Sequence, residues 1–147
     1  MRFFSIFFFF ILWTHVVNAQ LTKVLHQTFE IDSVENLTIS IVGEYELEKW
    51  AGNNILTETK IEIYNTTAGT FKYLIEEKKR YEIVAEINST SASLFSFDSK
   101  RASIKNKETG KECYEFIKVK IFVPDDFNID DPVNLVRASA SETSSNE

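Results

Sequence analysis

Ile55-Leu-Thr-Glu-Thr-Lys-Ile-Glu-Ile63 is the stretch whose reading decides the fold class. In an extended chain Ile55, Thr57, Thr59, Ile61 and Ile63 share one face, while Glu58, Lys60 and Glu62 share the other. That period of two, carried by β-branched residues, predicts an antiparallel strand with one dry face and one wet face. The same alternation continues on both sides. Upstream, Leu37, Ile39 and Ile41 alternate with Thr38, Ser40 and Val42, and Tyr45 and Leu47 alternate with Glu44, Glu46 and Glu48. Downstream, Phe71, Tyr73 and Ile75 predict a strand, Glu76 to Arg80 a polar turn, and Tyr81, Ile83, Ala85 and Ile87 the returning strand of a hairpin. The last strong run, Cys113 to Val123, turns Cys113, Ile117, Val119, Ile121 and Val123 to one side and stops at Pro124, which has no N–H to give to a ladder.

Turn chemistry separates these runs. Ala51 to Asn54, Thr67 to Gly69 and Glu108 to Lys111 hold residues that tolerate positive φ, and Gly43 between two strand-like runs marks a bulge or corner. No long helical pattern is present. The expected architecture is all-β: an antiparallel β-sandwich, or a short β-roll or solenoid-like stack, of about eight strands.

The chain of 147 residues fits one modest domain. Arg2 leads into an apolar run from Phe3 to Val17, and Val17-Asn18-Ala19 precedes Gln20, the layout of a secretory signal cleaved after Ala19. The run is shorter than the roughly twenty apolar residues that span a bilayer, and Gln20 stands where a lipoprotein would need Cys. Residues 1–19 are therefore expected to be a signal peptide and 20–127 the all-β domain. The Asp-rich and Ser-rich segment 128–147 is expected to be a flexible tail. Such a protein would be exported to the periplasm, the cell surface or the exterior, with no transmembrane segment after cleavage.

Composition excludes several functions. A net charge of −6 argues against a nucleic-acid partner, and a single Cys rules out a disulfide framework and a thiolate zinc site. Beyond the signal, His26 is the only His, so no catalytic triad can be assembled. Cys113 lies on an apolar strand face and reads as a small buried hydrophobe. The acidic run Asp125 to Asp131 lacks the spaced oxygens and central Gly of a calcium loop. Glu44, Glu46, Glu48, Glu58 and Glu62 read as charge on wet strand faces and edges. Glu76-Glu77-Lys78-Lys79-Arg80 is too short and too well neutralised to track a polyanion, and reads as a hairpin tip. No enzyme activity, metal or cofactor is expected. The candidate binding residues are Trp50, Tyr45, Tyr73 and Tyr81, which could form an aromatic platform for a sugar.

Two segments carry a resemblance: Leu37 to Trp50 followed by Gly52 to Thr59, and Glu115 to Pro124. The order of strand, Gly, strand, Trp, turn and strand, with the later Val-Pro strand end, resembles exported adhesin-like domains of unknown function from bacterial envelopes, and Arg80-Tyr81 before Glu82 is similar to exported proteins of Bacteroidetes that share this opening. The likeness spans roughly Phe29 to Phe127, and the chain stops where longer members continue with further Gly-punctuated β rungs. It implies a non-catalytic envelope or surface domain with a structural or adhesive role. Its partner would be an envelope protein, or a second copy met through strand edges. A small glycan-binding domain built on Trp50 and the tyrosines is the alternative.

Overall fold

In a computed structural model, residues 20–138 are described; the expected signal peptide and the segment beyond Ala138 lie outside them. The alternating runs form strands: β1 Leu21–Phe29, β2 Asn36–Ser40, β3 Tyr45–Trp50 and β4 Ile55–Tyr64. A helix α1, Ala68–Glu76, follows, and then β5 Ile83–Asn88, β6 Ser91–Ser96, β7 Ile104–Lys105, β8 Glu112–Pro124, β9 Phe127–Asn128 and β10 Asn134–Arg137. The protein is mostly β, with one short helix and two mixed sheets. One sheet runs β1-β4-β8-β3, with β7 also on β8, and the other runs β5-β6-β2-β10-β9.

The sheets are not antiparallel throughout, as the alternation suggested. β2 pairs parallel with β6, and β3 parallel with β8. Parallel neighbours need long crossovers, and here the chain supplies them by passing between sheets before it returns. Gly43, at φ +96°, turns the corner between β2 in the second sheet and β3 in the first, as a residue without Cβ can.

Ile55 on β4, Val119, Ile121 and Val123 on β8, Leu37 and Ile39 on β2, Leu94 on β6 and Leu135 on β10 meet in one buried cluster shared by both sheets. A second cluster lies under α1, where Phe71 and Leu74 cover Ile61, Ile63, Tyr81 and Cys113. Gln27 joins the two sheets at one side: its amide donates to the Ile83 carbonyl and accepts from the Ile83 N–H, each at 2.9 Å.

Three sequence expectations are corrected. Phe71 to Ile75 is helix rather than strand, because Thr67 caps it by accepting from the Thr70 N–H at 3.1 Å, and Phe71, Leu74 and Ile75 also satisfy helical spacing. The expected boundary at 127 is too early. Leu135 is 1% exposed and pairs with Leu37, and β10 lies between β2 and β9, so residues 128–138 complete the second sheet. One buried Leu in a four-residue strand leaves too little periodicity to read. Glu76 to Arg80 is not a hairpin tip either: Glu76 ends α1, and although Glu77 to Lys79 are exposed, Arg80 is buried.

Candidate functional site

On the side of β8 away from β4, pairing is broken. β7 covers Glu112 and Cys113, β3 begins to pair only at Val119, and on this side no strand among the described residues pairs with residues 114–118 between them. The direction of the backbone groups follows from bonds at the two ends. Asn106 N–H donates to the Lys111 carbonyl at 2.8 Å, and Asp125 N–H to the Trp50 carbonyl at 3.0 Å, so the odd-numbered residues of β8 turn their amides to the β7 and β3 side. The Glu112 carbonyl accepts from the Asn65 amide on the opposite side, as this parity requires. The N–H and C=O groups of Glu115 and Ile117 therefore face the break. It forms a slot in the first sheet, opening into a cleft of about 930 Å³ walled by Gly43, Tyr45 and Pro132.

A charged network fixes the slot from inside. Arg80 donates to both carboxylate oxygens of Glu115, at 2.9 and 2.7 Å, to Asp98 at 3.0 Å and to the Ala102 carbonyl at 2.8 Å. The Tyr81 hydroxyl donates to Glu115 as well. Burial works against the Arg80 charge, but the bonds and charge of Glu115 outweigh it and hold the guanidinium protonated. Burial first, then the bond to Glu115, push the Tyr81 phenol far above its ordinary range. Arg101 is pushed the other way, by burial and then by Arg80, against the opposing pull of Glu115. With its carboxylate held inward, Glu115 cannot fold over the edge, and its backbone stays presented to the slot.

The outward side is apolar at one end and charged at the other. Tyr114 and Phe116 are 57% and 61% exposed, and the Phe116 ring meets Tyr64 edge-on at 5.8 Å between centroids. Lys60 pairs with Glu62 at 2.7 Å and Lys120 with Glu48 at 3.1 Å. Lys118 makes no ion pair among the described residues.

The sequence-predicted aromatic residues do not converge. Trp50 and Tyr45 stand at opposite ends of β3. The Trp50 ring lies over Gly52, where a Cβ would fall 2.2 Å from it, and its N–H donates to the Asn54 carbonyl at 2.9 Å. Tyr45 lines the cleft and donates to the Pro132 carbonyl at 2.6 Å. Tyr73 is on the exposed side of α1, with the Lys78 ammonium 5.6 Å from its ring, and Tyr81 is 1% exposed in the second core cluster. They form no common sugar-binding surface. Of the other residues weighed, His26 is exposed beside Glu58 at 3.3 Å, and Cys113 is buried with its thiol on the Asn65 carbonyl.

Arg80, Asp98, Glu115 and Lys118 were not singled out from the sequence as functional. One signal was available: Glu115 falls in the inward phase of Cys113, Ile117 and Val119, and a carboxylate on a dry face demands a cation. The break in pairing left no such mark, because it depends on where β3 and β7 stop.

Comparison with protein-family models, curated proteins and solved structures finds no match. No helix among the described residues is long and apolar enough to cross a membrane, and no three His, Cys, Asp or Glu among them gather as metal ligands would.

Proposed function

We propose that this protein is an exported, non-catalytic β domain of the cell envelope, a mixed β-sandwich that works by binding another protein through the outward side of its first sheet. The observation that carries the reading is the slot on β8, an interrupted edge with unpaired backbone flanked by Tyr114 and Phe116. Exposed aromatic residues beside open hydrogen-bonding groups are what protein partners use, since one supplies buried area and the other direction. Two of the four outer edges, which are β1, β3, β5 and β9, carry devices that discourage unspecific strand pairing: β3 bears Glu46, Glu48 and Lys49, and β9 is two residues long.

The test is capture of partners from envelope extract by the purified protein, with binding of the captured protein then titrated. A saturable protein partner that binds at least about tenfold more weakly to Phe116→Asp supports the reading. Binding indifferent to Phe116→Asp, or a specific glycan signal on an array that disappears in Trp50→Ala, contradicts it.

A further inference from the structure

Resting on that reading, we propose that the slot between β7 and β3 takes an extended peptide segment of the partner as an added short strand on β8, with an acidic side chain of that segment set against Lys118.

The backbone dictates the extended form. The N–H and C=O groups of Glu115 and Ile117 face the slot with no partner among the described residues, and only another strand offers donors and acceptors at matching intervals. From Cys113 to Val119 the slot is roughly 20 Å long, room for about five extended residues. A second copy of β8 does not fit, because β7 and β3 stand on the same edge at either end and would meet their counterparts. The occupant is therefore a short segment that leaves the sheet at both ends, or a chain terminus.

Side chains set its chemistry. Residues of the segment beside Glu115 and Ile117 turn inward toward half-buried Ile117 and favour small apolar groups. The residue beside Phe116 turns outward into the company of Tyr64 and Tyr114, and favours an apolar or aromatic group. Charge complementarity marks the next outward position, two residues on, beside Lys118. Lys60 and Lys120 already hold carboxylates, whereas Lys118, exposed between them on the same face, holds none among the described residues. Even Glu44, which would stand beside it if β3 began one residue earlier, forms no ion pair with it.

The experiment is panning of a displayed library of random nine-residue peptides on the purified protein, followed by amide exchange with the selected peptides. The expected peptides carry an acidic residue two positions from an apolar or aromatic one, with a small apolar residue between them, and slow exchange of the Glu115 and Ile117 amides at least about tenfold. Lys118→Glu, a change at an exposed site, should weaken the acidic peptides roughly fivefold and select basic ones in their place. Three outcomes would overturn the inference: no enrichment, enrichment of peptides that protect β1 or β5 instead, or a preference unchanged in Lys118→Glu. A protein partner that needs Phe116 but leaves both amides unprotected would overturn strand addition alone and leave the interaction-domain reading standing.

Discussion

Thr57 and Thr59 sit on the dry face of β4 at 1% exposure, and neither hydroxyl has a hydrogen-bond partner among the described residues. A buried unpaired hydroxyl costs free energy that an apolar group of the same shape does not. Thr59→Val should therefore raise stability by about 1 kcal/mol, read as a higher urea midpoint at unchanged slope. Tyr81 argues in the opposite direction. Its phenol, desolvated and bonded to Glu115, keeps its proton in the folded chain at a pH where the unfolded chain releases it. With the folded pKa above the ordinary value of 10.0, its contribution is complete below pH 10 and is lost as pH rises beyond it. Tyr81→Phe should cost about 1–2 kcal/mol at pH 7 and flatten the alkaline decline. Urea unfolding of both proteins between pH 7 and pH 11 checks this, and an equally steep decline in Tyr81→Phe would contradict it.

Among the elements, β4 and β8 were legible because β-branched or other apolar residues recur at most second places over nine or more residues, and the structure gives each the expected faces. α1 was not. Phe71, Tyr73 and Ile75 fit a strand, while Phe71, Leu74 and Ile75 fit a helix, and only the Thr67 cap together with the cluster beneath it decides between them. The parallel pairings of β2 with β6 and β3 with β8 were hidden for another reason: alternation reports which side of a strand is dry, not which strand lies beside it. The same limit hid Gln27, a polar residue in the inward phase of β1 whose amide is used up on the Ile83 peptide of β5. Gln27→Leu leaves both Ile83 groups unpaired at the junction of the sheets. It should cost about 2–3 kcal/mol and speed amide exchange at Ile83, whereas a neutral substitution would show that the junction bears little load.

Across the whole molecule, two sheets share one core, while a helix and a charged network close one end. The arrangement secures β8 on its β4 side along most of its length and on the other side only at Glu112 and Cys113 and from Val119 onward. Arg80, Tyr81 and Asp98 hold the intervening segment straight without covering its edge, so rigidity and openness occur in the same strand. The aromatic candidates read from the sequence did not locate this place, since Tyr45 alone among them lines the cleft. The claim that β8 is open here can be tested in the free protein by native-state amide exchange, residue by residue along the strand. Glu115 and Ile117 should exchange at least about a hundredfold faster than Cys113 and Ile121, which share the strand and turn their amides to β7 and β3. Equal protection of all four amides would mean that the edge is closed in solution and would contradict the account.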